Sequence, residues 1–145
     1  MGASHPARSE ARYELTRCTR LVSPYAAGSR SANSADPSAY FDWWPVQGSK
    51  SEWIDVTFAK PASISETEIY WFDDTGRGGV RVPASWRLLY KNGDQWIPVQ
   101  ASQAFGVERN AWNVVRFTPV TTSGLRIEIV MQEKFSAGVQ EIKIR

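Results

Sequence analysis

The chain has 145 residues, enough for one domain with a hydrophobic core and too few for two domains of ordinary size. Its 42% hydrophobic and 22% charged residues are typical of a folded globular protein. The formal net charge is only +2, and the 17 Lys and Arg residues are scattered among 15 acids. Because no basic stripe is present, a nucleic-acid partner is not expected. No apolar run approaches the roughly 20 residues that cross a bilayer, so no membrane segment is expected either.

The single cysteine and the single histidine limit the chemistry that the chain can perform. Cys18 alone excludes an internal disulfide and a Cys-based zinc site. His5 lies in a polar stretch that lacks the pattern of a signal peptide. A catalytic Cys–His pair is therefore not expected. We interpret residues 1–12 as a polar leader or an expression remnant, and residues 13–145 as one module.

Short strand-like segments follow one another along the module. Residues 53–58 show the clearest pattern, because Ile54, Val56 and Phe58 fall on one face and polar residues fall on the other. Lys60-Pro61 is expected to end this strand. Residues 23–39 are rich in Ser, Ala, Pro and Gly and are expected to form a long loop. The predicted strands are residues 13–22, 53–58, 64–72, 86–90, 96–99, 112–117, 125–131 and 139–144.

The dipeptide Asn92-Gly93, between two of these segments, predicts a β-hairpin. Asn-Gly is favoured in tight turns in which both central residues need positive φ. Leu125, Ile127 and Ile129 are predicted to point into the core, and no helix-period segment exceeds two turns. About eight short strands with this spacing predict an all-β, single-domain antiparallel β-sandwich or jelly roll.

The order of these segments resembles the discoidin-like, or factor V/VIII type C, family of galactose-binding-like modules. Residues 53–58, which read W-I-D-V-T-F, resemble that family's first core strand, and residues 64–71 resemble the strand that follows. Residues 86–99 resemble its W-R-L-L-Y-x-N-G-x-x-W-x-P-V hairpin. L-R-I-E at residues 125–128 and Glu141 in the last strand complete a likeness that covers residues 13–145.

A closer resemblance exists to the version appended to bacterial glycosidases of the β-L-arabinofuranosidase type, which act on plant cell-wall polysaccharide. It is carried by residues 41–53, residues 70–86 and residues 135–138. This resemblance implies a non-catalytic module that binds an oligosaccharide or polysaccharide beside a glycosidase domain of the parent chain. It also implies a monomer with an extracellular or periplasmic location.

The glycine-containing segment from Asp73 to Arg81 is the leading candidate for sugar recognition. Asp73 and Asp74 can accept hydroxyl protons, whereas Arg77 and Arg81 can donate through a fixed fork. The intervening glycines allow the backbone to approach a ligand closely. A structural role is the alternative for the same residues, with Asp73 capping the turn and pairing with an arginine to hold the loop.

An aromatic plate for the C–H face of a sugar ring is the second requirement, and seven tryptophans are available. Trp43 and Trp44 are adjacent, so on an extended chain they point in opposite directions. Trp43 shares the parity of Phe41 and is predicted to enter the core, which leaves Trp44 as the plate. Tyr40 could serve instead, or both tryptophans could be buried under the long loop. The other five tryptophans are predicted to be core residues, although Trp71 ends a strand beside the polar loop.

Calcium is the one cofactor that the resemblance implies. Sugar-binding members of the family often hold a calcium ion between the early loop and a carboxylate near the C-terminus. The matching positions here are Asn33, Asp36 and Glu141, and an irregular loop suits an ion that needs several oxygen ligands. Asp36 is followed by Pro37 where the family has glycine, and proline cannot adopt positive φ. The sequence therefore leaves open whether the calcium site is kept, altered or lost.

A glycosidase active site is not expected in the chain. Such a site needs two carboxyl groups about 5 to 9.5 Å apart across a cleft, and the neighbours Asp73 and Asp74 cannot face each other in this way. The remaining alternative is a module without a sugar site, which would brace a neighbouring catalytic domain or contact another protein.

Overall fold

The computed structural model of the chain describes residues 13–16, 33–36, 40–43 and 50–145. These residues contain strands and turns but no helix, so none of them belongs to a helix that could span a membrane. The predicted all-β antiparallel sandwich is confirmed. Its strands are β1 (Tyr13–Thr16), β2 (Phe41–Trp43), β3 (Ser51–Phe72), β4 (Val80–Arg81), β5 (Ser85–Asn92), β6 (Gln95–Pro98), β7 (Trp112–Val130) and β8 (Ser136–Ile144).

Two long strands, β3 and β7, belong to both layers of the sandwich. The first part of β3 pairs with the last part of β7, and β1, β5 and β6 extend this layer outwards. The last part of β3 pairs with the first part of β7 on one side and with β8 on the other, and β2 pairs with β8. The short strand β4 joins β8 in parallel, directly after the loop that follows β3.

The sequence predicted four separate strands where the structure has the two long ones. Lys60-Pro61 does not end the strand, because β3 continues to Phe72. The pairing with β7 shifts register between Thr57 and Ala62 instead. A proline is tolerated at such a bulge, since the ladder needs no N–H from it there. The prediction of a strand end at Lys60-Pro61 is therefore wrong.

The β5–β6 hairpin is present, but its turn lies one residue later than predicted. Asn92 pairs with Gln95, so Gly93 and Asp94 are the two central residues. Of these two residues only Gly93 has a positive φ, of 60°. Glycine with positive φ at the first central position is the pattern of a type II′ turn. The hairpin prediction is confirmed, and the expected positive φ at Asn92 is wrong.

One hydrophobic cluster fills the space between the layers. The predicted inward residues Leu125, Ile127 and Ile129 are at most 1% exposed, and residues from both halves of β3 pack in the same cluster. Trp43 is buried, as predicted, and Trp71 is fully buried although it lies beside the polar loop. Trp44 lies outside the described residues.

The core also fixes the loop that precedes β7. The indole N–H groups of Trp71 and Trp86 both donate to the carbonyl oxygen of Gly106, at 3.3 and 2.7 Å. Asn113 at the start of β7 binds the same loop, because its side chain accepts from the N–H of Glu108 and donates to the Glu108 carbonyl. Core side chains therefore hold residues 106–111 in place.

Among the described tryptophans, three lie outside the core cluster at half-buried positions, contrary to the prediction that they are core residues: Trp53, Trp96 and Trp112. Arg126 lies between the first two, with its guanidinium carbon 5.2 Å from the Trp53 ring centroid and 4.4 Å from that of Trp96. Its Nε and Nη2 atoms donate to the carboxylate of Asp55 at 2.6 and 2.7 Å. This stack joins three strands of the first layer through cation–π contacts and a bidentate ion pair.

Replacing Arg126 with lysine is expected to lower the free energy of unfolding by about 1–2 kcal/mol, because lysine keeps the charge but loses the fork and the planar stacking. Arg116→Lys is the matched control on the same strand. Arg116 is 67% exposed and pairs with Glu66, so its replacement should cost at most about 0.5 kcal/mol. Urea unfolding followed by tryptophan fluorescence measures both losses. Equal losses would show that the stack contributes no more than an ordinary surface ion pair.

Candidate functional site

Three segments meet at one edge of the sandwich: the turn at Asn33–Asp36, the segment from Asp73 to Arg81, and the loop at residues 106–111. We call them together the loop cluster. The N–H of Asp73 donates to the carbonyl of Ser34 at 2.8 Å. Ser34 and Asn110 exchange two further hydrogen bonds, each 2.7 Å long. The three segments are thus joined to one another directly.

The carboxylate of Asp73 is the central acceptor of the loop cluster. Asp73 is only 1% exposed. Its Oδ1 accepts from the N–H and the hydroxyl of Thr75, at 3.0 and 2.5 Å, and its Oδ2 accepts from the N–H of Val82 at 3.0 Å. The Nε of Arg109 lies 3.4 Å from Oδ1. Both oxygens are therefore used inside the protein, which matches the structural interpretation of Asp73, with Arg109 as its arginine.

These contacts also set the ionisation of Asp73. Burial by itself raises the pKa of the carboxyl group. The hydrogen bonds from Thr75 and Val82, together with the charge of Arg109, outweigh burial and hold the pKa below its ordinary value of 3.8. The carboxylate is consequently ionised at neutral pH and keeps its attraction for Arg109.

Asp74 and Arg81 are likewise engaged within their own segment. Asp74 Oδ1 accepts from the N–H of Val80 at 2.8 Å and lies 3.5 Å from Arg81 Nη1. Arg81 Nη1 donates to the carbonyls of Gly78 and Val80 at 2.9 and 2.8 Å, and its guanidinium lies over the Phe135 ring. A side chain at Gly78 would overlap the Asp74 carboxylate, so a residue with a side chain there would displace Asp74 from its place in the segment. These contacts hold the segment in one shape.

Two guanidinium groups of the loop cluster are exposed to solvent, and so is the ring of Tyr40, the residue before β2. Tyr40 is 37% exposed and stacks on the buried Phe72, with ring centroids 3.8 Å apart and an interplanar angle of 7°. Phe72 is the last residue of β3 and directly precedes Asp73 in the chain. The Arg109 side chain is 45% exposed. Arg77 is exposed, and its side chain forms no ion pair or hydrogen bond within the described part of the chain.

The structure brings together four of the five ligand-binding residues predicted from the sequence: Asp73, Asp74, Arg77 and Arg81. The fifth, Trp44, lies outside the described residues, whereas its alternative Tyr40 is exposed and stacks on Phe72. Sequence reasoning missed Arg109 and its neighbour Asn110. The one signal for them is the polar triplet at residues 108–110, directly before a strand.

The Asn33–Asp36 turn carries two of the three predicted calcium ligands, Asn33 and Asp36. The side-chain oxygen of Asn33 accepts from the N–H of Ala35 at 2.9 Å, and Glu141 is buried in β8. The carbonyl oxygens of Asn33, Ser34 and Asp36 all accept from one group, Nε2 of Gln140, at 3.0, 3.2 and 2.9 Å. Because an N–H donor lies where these carbonyls converge, the residues in this arrangement do not fit a calcium ion.

The chain is similar to known proteins in sequence and in fold. Residues 20–141 match the sequence profile of the F5/8 type C domain. A chain from the Streptococcus pneumoniae β-galactosidase BgaA superposes with a TM-score of 0.71 at 17% identity, covering 97% of this chain and 94% of that one. The family 32 carbohydrate-binding module of C. perfringens NanJ, in complex with galactose, gives 0.59 at 14% identity, covering 92% and 93%. A pectin-binding module gives 0.56 at 22% identity, covering 79% and 78%.

Replacing Asp73 with asparagine is expected to lower stability at neutral pH by about 1–3 kcal/mol, because an amide leaves buried donors unsatisfied. The pKa of Asp73 is lowered by folding, so its contribution is full above the ordinary value of 3.8 and is lost as the pH falls through the lower folded value. The gap between wild type and Asp73→Asn should therefore narrow in acid. Urea unfolding at neutral and acidic pH measures it, with the exposed Asp94→Asn as control. A stability difference between wild type and Asp73→Asn that does not change with pH would contradict a stabilising role for the ionised carboxylate.

Proposed function

Because the chain belongs to the F5/8 type C domain family, we propose that it is a non-catalytic carbohydrate-binding module that holds an oligosaccharide or polysaccharide at the loop cluster. One observation carries this proposal. The exposed Tyr40 ring is stacked on Phe72, the residue before Asp73, and the carboxylate of Asp73 lies 3.4 Å from Nε of the half-exposed Arg109. An apolar plate next to charged hydrogen-bond donors is the combination that a sugar ring with several hydroxyls requires.

The stacked ring of Tyr40 is suited to this role because it is held in place before a ligand arrives. Phe72 covers one face of the ring at 3.8 Å, so the exposed surface of Tyr40 lies away from Phe72. A ring that is already immobilised loses less conformational entropy on binding than a free side chain. The C–H face of a sugar can then pack on it with little reorganisation.

The two arginines supply donors of different kinds. Arg109 is oriented by the buried carboxylate of Asp73 through its Nε, and its side chain is nearly half exposed. Arg77 is exposed on the glycine-containing segment and is available to follow a ligand. Hydrogen bonds from an ionised donor are stronger than those between neutral groups, so both arginines are suited to sugar hydroxyl or carboxylate oxygens.

The acids of the loop cluster support a binding function and not hydrolysis. A general acid must carry a proton near neutral pH, whereas the pKa of Asp73 is lowered and both of its oxygens are engaged. Asp74 accepts a backbone N–H within its own loop. Both carboxylates are thus engaged by groups of the protein itself.

The similar structures support the ligand class, since one is a galactose complex and another binds pectin. We extend the proposal to an accessory role: the module would accompany a glycosidase that acts on plant cell-wall or other complex glycans, outside the cytoplasm. Similarity to a chain from a β-galactosidase is in keeping with that role.

Truncation of the ring tests the site directly. Tyr40→Ala is expected to weaken binding of the best oligosaccharide by roughly tenfold or more, whereas Tyr40→Phe should keep most of the affinity, because the plate and not the hydroxyl is used. Arg77→Ala should cause a loss of similar size, of roughly tenfold. Calorimetric titration with galactose-, arabinose- and uronate-containing oligosaccharides measures these affinities.

Arg87→Ala is the matched control for the arginine variant. Arg87 is exposed on the face of the first layer, where it pairs with Glu128, and it should not affect affinity. Thermal unfolding of every variant verifies that the fold is kept. If a broad glycan screen finds no ligand for the wild-type module, the sugar-binding proposal is overturned in favour of a module that braces a neighbouring domain.

A further inference from the structure

Gln140 occupies an irregular position in β8. Tyr70 of β3 pairs with Glu141, but the next residue, Trp71, pairs with Val139. Gln140 is therefore the extra residue of a β-bulge, a feature that redirects a side chain out of the regular alternation of a strand. Its side chain is fully buried and lies against the Asn33–Asp36 turn.

Three backbone carbonyl oxygens of that turn point at the amide nitrogen of Gln140. They belong to Asn33, Ser34 and Asp36 and lie 3.0, 3.2 and 2.9 Å from Nε2. An amide carries only two N–H bonds, so three acceptors exceed what an ordinary glutamine contact needs. Proteins bind calcium through oxygen ligands of this kind, with several backbone carbonyls of one loop converging on the ion.

From this geometry we propose that the side-chain amide of Gln140 takes the position of a loop cation, so that the loop cluster is built without calcium. The partial positive charge of the amide satisfies the converging carbonyls. The turn that Gln140 holds is the one that binds Asp73 and Asn110, so the same amide supports the whole cluster.

The orientation of the amide follows from the number of its acceptors. With Nε2 towards the turn, two N–H bonds face the three carbonyls, and Oε1 is buried without a partner among the described residues. The opposite orientation would place an oxygen against three carbonyl oxygens. That arrangement would be repulsive unless a cation lay between them. A calcium titration therefore distinguishes the two arrangements.

Thermal unfolding of the wild-type chain, with calcium and with a chelator, is the first test. The midpoint is expected to be the same in both, because a protein is stabilised only by what binds its folded state. Gln140→Glu keeps the size of the side chain but puts a carboxylate among the carbonyls. Its midpoint in chelator should fall by about 5 °C or more, and calcium should restore most of the loss.

Gln132→Glu is the matched control, because Gln132 Nε2 donates to a single backbone carbonyl, that of Val82, at 2.9 Å. Its midpoint should not respond to calcium. A calcium-dependent rise in the wild-type midpoint would overturn the proposal. The proposal would also be overturned if calcium raised the midpoint of Gln140→Glu, purified in calcium, by no more than it raises the midpoint of Gln132→Glu.

Discussion

The buried carboxylate of Asp73 is the constraint on which the loop cluster depends. A charge removed from water needs hydrogen-bond donors and an opposite charge, and here Thr75 and Val82 donate while Arg109 supplies the charge. The N–H of Asp73 is bound in turn by Ser34. Segments that are far apart in the sequence are thus required to meet in one arrangement. That arrangement determines which groups remain for a ligand.

Support for this arrangement extends from the core outwards. Trp71 and Trp86 pack edge to face, with ring centroids 5.4 Å apart, and bind the same carbonyl oxygen of Gly106. Asn113 fixes the next part of that loop at Glu108. The backbone that carries Arg109 is therefore fixed by the core, and Asp73 orients the Arg109 side chain. Preorganisation of this kind lowers the entropic cost of holding a flexible ligand such as a saccharide.

The fold was largely predictable from the sequence, because the alternation of Ile54, Val56 and Phe58 reports directly on which face is buried. The joining of two neighbouring predicted strands into β3 could not be predicted from the sequence. The bulge at residues 57–62 depends on the partner strand and not on local composition. At the site, the sequence identified the residue types between Asp73 and Arg81. It could not assign their partners, because Ser34 and Asn110 meet across 76 residues without a motif to connect them.

The contrast between Arg77 and Arg81 explains why residue type alone did not define the site. Both lie in the same glycine-containing segment, yet Arg81 donates to two carbonyls of its own loop and packs on Phe135, whereas Arg77 is exposed. The two acids do not differ in this way, because Asp73 and Asp74 are both directed inwards. An acid–base catalyst needs the reverse, with a carboxyl group facing the ligand and an arginine or a hydrophobic wall behind it. With both acids engaged inside the protein and Arg77 and Arg109 exposed, the cluster suits the proposed binding of an oxygen-rich ligand better than it suits proton transfer.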